Sequence, residues 1–335
     1  MKISSPTAGL VVAVIGSLSF GTSGAFIKPL LEAGWSPSAA VTARVLVGGL
    51  VLLPVALISL RGSWSALWRA RWRVIAMAVA GVAVTQVSYF AAIQTIPVAT
   101  AVLIELLAPL LLVGVVWATT RRIPHAFVLV GSLLAVGGLV LVVGPGAISA
   151  VDPIGLMFAF CAMIGCAIYF VIAARPSDGL PPVGFAASGL VLGGLALGAL
   201  GLTGVLPLTA TFGNVPLAGT ESPWWVPLVI VAVISTAIAY VAGITSAEAL
   251  GSRLASFVSL LEVVFAALFA WLLLGEQLTP VQLLGGALIL GGIAAVRAAD
   301  SAADDPATTL AHLAPEAVPG GEDVLEATSA REFPG

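Results

Sequence analysis

Residues Pro97 to Val140, PVATAVLIELLAPLLLVGVVWATTRRIPHAFVLVGSLLAVGGLV, lie without a gap on Gly251 to Ala294, GSRLASFVSLLEVVFAALFAWLLLGEQLTPVQLLGGALILGGIA, at a constant offset of 154 residues. Trp117 falls on Trp271, Gly131 on Gly285, and Gly137-Gly138 on Gly291-Gly292. Each copy holds two apolar runs of membrane-spanning length. Two homologous halves of about five helices in lipid is how many secondary transporters are built. The repeat therefore predicts a membrane carrier.

The rest of the chain agrees. It is 60% hydrophobic and 9% charged, against about 25% charged residues in soluble domains. A bilayer core of about 30 Å takes about 20 residues of helix. Ten runs reach that scale: 8–27, 39–60, 74–93, 98–118, 126–145, 154–173, 183–203, 225–246, 254–274 and 281–297. The expected fold is all-α and polytopic, ten transmembrane helices in two repeats, 1–149 and 150–298. An acidic tail, 299–335, follows and reads as disordered. The net charge of -3 hides that division. Residues 1–297 hold twelve basic and eight acidic side chains, a balance of +4, and residues 298–335 hold one and eight, a balance of -7.

Basic residues sort the connections. Arg61, Arg69, Arg71 and Arg73 lie in 61–73 among Trp64, Trp68 and Trp72, a pattern of interfacial anchors rather than nucleic-acid contacts. Arg121 and Arg122, Arg175 and Arg253 mark three further connections on that side. Of the alternate connections only the first holds a basic residue, Lys28. The positive-inside rule then places both termini in the cytoplasm of a multi-pass protein of the inner (plasma) membrane. Trp224 and Trp225 fall at the outer interface. With five spans per half, the two halves enter the membrane from opposite sides, so the repeat is inverted.

A charge at the membrane centre costs about 2.5–3.5 kcal/mol on insertion scales, so ionisable groups there face a cavity or each other. Glu105, Glu262 and Arg44 are the three candidates. Pro109 frees the carbonyl of Glu105 from its intrahelical bond, which favours a water-facing position for that residue. Arg44 has the alternative of reaching the outer headgroups, and Glu262 that of pairing between helices. In repeat coordinates the two glutamates are three residues apart, about 4.5 Å along a helix, on roughly one face of a shared cavity. Desolvation disfavours a charged carboxylate, the chemistry that a proton-coupled carrier uses.

Polar side chains that can line the same space are Ser19, Thr22 and Ser23, then Thr85, Gln86, Ser88 and Tyr89, and Tyr169. Ser235, Thr236, Tyr240, Ser256 and Ser259 complete the set. The expected substrate- or proton-binding residues are Glu105, Glu262, Arg44, Gln86, Tyr89, Tyr240, Ser259 and Tyr169. Spans 5 and 10 carry glycine pairs, and span 7 carries Gly189-x-x-x-Gly193 and Gly194-x-x-x-Gly198, all read as packing surfaces. Cys161 and Cys166 share one helix and are not expected to pair. The two histidines, His125 and His312, lie in unlike settings, so no metal site is expected. Gly144-Pro145-Gly146-Ala147 lacks the Lys-Ser/Thr ending of a nucleotide loop, and no catalytic constellation appears.

The segment Ala255–Glu276, ASFVSLLEVVFAALFAWLLLGE, followed by LGGALILGG at Leu284–Gly292, resembles the second repeat of the EamA-type transporters of the drug/metabolite transporter superfamily. The resemblance covers about residues 8–297. The family's Glu-Pro pair in helix 9 is matched by Glu262-Val263, glutamate kept and proline lost. In the first repeat Ala108-Pro109 does the reverse. The Leu-Gly-Glu closing helix 9 is matched by Leu274-Gly275-Glu276 and answered in repeat one by Thr120-Arg121-Arg122. Arg44 matches an arginine often seen early in helix 2. Glu105 is outside the common motif.

The resemblance implies two inverted five-helix repeats around a cavity built by helices 1–4 and 6–9. It implies export or import of amino acids, metabolites or toxic compounds, often by proton exchange, and no enzymatic activity. The expected partners are a small-molecule substrate, protons as coupling ion, the lipid bilayer and a second copy of the chain. No cofactor and no nucleic acid are expected. A passive membrane sensor or scaffold is the alternative, favoured only by the acidic tail. Only Arg44 is available inside the core, which argues against a dianionic cargo.

Overall fold

The computed structural model describes residues 5–96, 98–121, 123–144, 152–176, 178–217, 219–275 and 279–303. Arg122, Glu276 and the tail beyond Ala303 lie outside the described residues. Among the described residues, nine helices are long and apolar enough to cross a bilayer, and one further apolar helix, Leu261–Leu273, is shorter. The protein is a polytopic, helical membrane protein. Its helices present large exposed apolar side chains outward, Leu133 at 75% and Leu195 at 56% for instance. That is the surface expected where lipid replaces water.

The first crossing combines α1 (Pro6–Gly21) and α2 (Ser23–Glu32), interrupted at Thr22. Next come α3 (Pro37–Ser59), the short α4 (Trp64–Arg69) and α5 (Arg71–Ala76). A π-helical stretch, Met77–Val84, joins α5 to α6 (Thr85–Ala92). Then follow α7 (Val98–Glu105), α8 (Ala108–Thr120), α9 (Ala126–Val143), α10 (Pro153–Ala173) and α11 (Pro182–Leu202). After a two-stranded hairpin, β1 (Asn214–Leu217) and β2 (Thr220–Pro223), comes α12 (Trp225–Ile230). A second π-helical stretch, Val231–Ile238, leads to α13 (Ala239–Ser259), α14 (Leu261–Leu274) and α15 (Pro280–Ala303).

Local chemistry explains the starts. Ser36 accepts a bond from the Ala39 N–H with Pro37 in the first turn of α3, and Asp152 accepts from Ile154 and Gly155 with Pro153 opening α10. Such caps satisfy amides that a helix N-terminus leaves orphaned.

Four differences from the sequence reading stand out. The expected spans 225–246 and 254–274 do not separate cleanly: one helical run reaches from Trp225 to Ser259. It is interrupted at Gly251, whose φ of 78° only glycine adopts without strain. A further break at Leu260 divides the expected ninth span, with no proline present. The last helix runs on to Ala303, past the boundary expected for the tail; alanine-rich sequence favours helix. The hairpin at 214–223 was not expected in an all-α chain. The segment leading into it is tied to the α2–α3 turn, where Trp35 Nε1 donates to the Thr211 carbonyl at 2.6 Å and Ser36 Oγ to that of Pro207 at 2.6 Å. Trp224 packs inward against Trp35 and Phe212, ring centroids 5.6 and 5.0 Å away, while Trp225 stays exposed as the interfacial reading requires.

The 154-residue offset recurs in the backbone. The π-helical stretch Met77–Val84 maps onto Val231–Ile238. The break at Leu106 and Leu107 after α7 maps onto that at Leu260. Arg121, left-handed at φ 56°, closes α8 where Gly275, at φ 70°, closes α14. None of these features was legible from hydropathy.

The glycine pairs bring α9 and α15 into backbone contact. A Cβ on Gly131 would meet the Gly292 carbonyl at 2.7 Å, and one on Gly285 would meet that of Gly138 at 2.7 Å. Under the offset, the pair 131/292 becomes 285/138, so the interface maps onto itself. Gly137 has open space around it, and Gly291 meets nothing nearer than a leucine methyl at 3.9 Å. One glycine of each pair makes the contact. In α11, Gly189 and Gly193 face Met77 and Val82, and Gly194 faces Leu46 of α3.

Candidate functional site

A cavity of about 530 Å³ lies within the bundle, between helices of both halves. All eight side chains expected from the sequence are on its wall. Glu105 ends α7, Glu262 stands in the first turn of α14, and Arg44 comes from α3. Gln86 and Tyr89 come from α6, Tyr169 from α10, and Tyr240 and Ser259 from α13. The breaks at Leu106–Leu107 and Leu260 set the two carboxylates at helix ends, which regular helices would not have done.

The charges face one another. Glu105 feels both the positive charge of Arg44 and the negative charge of Glu262, and Glu262 feels Arg44. One guanidinium thus lies within electrostatic reach of two carboxylates. Arg44 Nη1 donates to Ser23 Oγ at 2.9 Å, and Nε is buried without a hydrogen-bond partner. Tyr169 Oη is a second buried polar atom without one.

The cavity has an open and a closed end. Toward the α2–α3 turn its wall reaches Leu31 and Pro37, both exposed. At the opposite end Ala13, Phe170, Ser246 and Ala255 are buried. Aromatic rings form the floor there: Tyr240 meets Phe20 and Tyr169 edge-on at 5.5 and 5.7 Å, and Tyr169 meets Phe170 at 5.0 Å.

Several expected hydroxyls do not reach this space. Thr22 and Ser235 bond to each other at 2.6 Å, linking α1/α2 to the second π-helical stretch. Ser256 donates to the Arg253 carbonyl of its own helix, the usual fate of a hydroxyl inside a helix. Ser17, Phe20, Cys166 and Phe170 line the wall but were not singled out; nothing in an apolar run separates them from packing residues. Among the described residues, no group of three His, Cys, Asp or Glu side chains is placed to hold a metal ion.

A polytopic helical bundle with a charged, one-ended central cavity has the architecture of a membrane carrier. The EamA-like transporter family matches residues 7–144 and again 153–298, and the chain belongs to that family. It is a transporter rather than an enzyme. A transporter of Archaeoglobus fulgidus described only as uncharacterized is 28% identical over 209 residues, 62% of this chain and 70% of its own. A solved crystal structure superposes with a TM-score of 0.69 at 21% identity, covering 90% of this chain and 100% of that one. At that identity the likeness shows the fold alone.

Proposed function

We propose that the protein is a proton-coupled exporter of small metabolites or amino acids, working by alternating access between two inverted five-helix repeats. The observation that carries this reading is the cluster of Glu105, Glu262 and Arg44 on the wall of a cavity inside an apolar bundle. With one cation for two carboxylates, the cluster has room for a proton or for the ammonium of a cargo. The unpartnered Arg44 Nε and Tyr169 Oη offer donors to the cargo's carboxylate or carbonyl. The apolar remainder of the wall suits an uncharged side chain, and the volume falls in the range of small-molecule sites.

The recurrence of π-helical stretches, breaks and caps at one offset supports an internal duplication. The arginine sorting supports its inversion across the membrane, with both termini cytoplasmic. On that orientation the open end of the cavity faces outward. A reporter fused after Ala303 is expected to remain cytoplasmic. One inserted at Gly219, in the open turn of the hairpin rather than at the buried Val215, is expected to appear outside. Detection of the Gly219 reporter in the cytoplasm would remove the inverted arrangement.

Transport itself is tested in inverted vesicles under an imposed pH gradient, with a panel of amino acids, small amines and cationic drugs. The expected result is accumulation of at least one zwitterion or monocation, abolished by collapsing the gradient. Uptake no greater than in vesicles without the protein, across the whole panel, refutes the reading.

A further inference from the structure

At the closed end of the cavity, one side chain holds three helices together. Arg73 of α5 donates from Nε to the Ile172 carbonyl at 3.1 Å, from Nη1 to that of Pro176 at 2.8 Å and from Nη2 to that of Arg175 at 2.8 Å. Its guanidinium also lies over the Phe185 ring of α11, 4.6 Å from the centroid. The acidic Glu248 of α13 and Asp178 attract it as well. Ile172 lies in the last turn of α10, at the negative end of the helix dipole, and Arg175 and Pro176 follow directly after its cap at Ala174.

We infer that Arg73 is the latch of the gate at this end: it positions the C-terminal turn of α10, and through it the aromatic floor of the cavity. Ile172 is less than one turn from Tyr169 and Phe170, which close the floor. Opening this end requires the end of α10 to part from α5, and Arg73 bonds across that seam while its stack on Phe185 ties it to α11 on the other side. Its counterpart at the 154 offset is Pro227, which has no side-chain donor. At the matching position the second half has no such donor, so the latch favours the state in which the other end is open. A lysine cannot replace it, since one ammonium has neither the planar fork nor the stacking face of a guanidinium.

The inference rests on the alternating-access reading, and the test separates the two. Cys166 lies on the cavity wall, and Cys161→Ala leaves it the sole thiol. A charged, membrane-impermeant methanethiosulfonate is applied to right-side-out spheroplasts and to inverted vesicles, with folded protein quantified by size-exclusion chromatography. With Arg73 present, Cys166 is expected to react from one face only. Arg73→Gln is expected to raise reaction from the other face about tenfold, the scale of a shift of one decade in the equilibrium, and to lower it from the first. Arg73→Lys and Phe185→Leu, each retaining part of the contact, are expected to give smaller shifts in the same direction. These two variants carry the test should Arg73→Gln fail to accumulate. A helix cap without a gating role would alter protein yield and leave sidedness alone, and unchanged sidedness in the folded variants overturns the latch. Labelling needs no cargo, so a shift in sidedness upholds the latch even if the transport panel fails. Unshifted labelling in vesicles that do transport refutes the latch alone.

Discussion

Replacing Glu105 by glutamine is expected to reduce pH-driven transport to background while the protein still accumulates in the membrane. Replacing Glu262 by glutamine is expected to lower folded protein as much as flux. The contrast follows from where the two carboxylates stand on their helices. Glu262 lies in the first turn of α14, where the helix dipole favours a negative charge by about 0.3–1 kcal/mol. Glu105 ends α7, where the dipole opposes one. Removing the charge from Glu262 therefore loses a structural contribution that Glu105 does not make. Transport and folded protein are measured on the same membranes. Normal pH-driven flux by the Glu105→Gln protein at unaltered expression would end the assignment of the coupling proton to Glu105.

The second large effect is expected at the glycine pairs, and it divides neighbours. Gly292→Val is expected to abolish accumulation of folded protein, and Gly137→Val to be tolerated. A Cβ on Gly292 would lie 2.6 Å from the Gly131 carbonyl and 2.8 Å from the Ala135 nitrogen, backbone atoms that cannot rotate away. Helices α9 and α15 would have to separate along their length. Overpacking of a core costs about 1–3 kcal/mol even where side chains can adjust. A Cβ on Gly137 meets nothing within 4 Å. Thermal stability of the detergent-solubilised variants checks both halves, and equal loss at the two positions would contradict the backbone contact.

The placement of the charged residues was legible because charge in lipid is expensive. Glu105, Glu262 and Arg44 had few places to go, and the structure puts them on one wall. Tyr89, Tyr169 and Tyr240 were legible for a related reason: each has a polar tip on a large apolar body. Small hydroxyls were legible only in part: Ser23, Thr85 and Ser259 line the wall, but an expected one such as Ser256 satisfies itself on a carbonyl of its own helix and stays out of it. The glycine pairs announced close packing but not which member makes it, a matter of rotation that composition does not encode. The breaks were hidden too. Leu260 has no proline beside it, and Met77–Val84 is apolar on every side, so no periodicity marks its wider turns. The hairpin strands contain Pro216 and Pro223, residues that argue against strands on sequence alone.

The two π-helical stretches bear on the history of the chain. A π-bulge records one residue more than the surrounding α-helix accommodates, and such insertions are rare. Here the same eight positions are wound this way in each half, Met77–Val84 and Val231–Ile238. Two separate insertions would have had to strike the same register of two helices. A single insertion in an ancestral half, copied when that half was duplicated, needs one event. On that account the widened turn is older than the joining of the two matched segments.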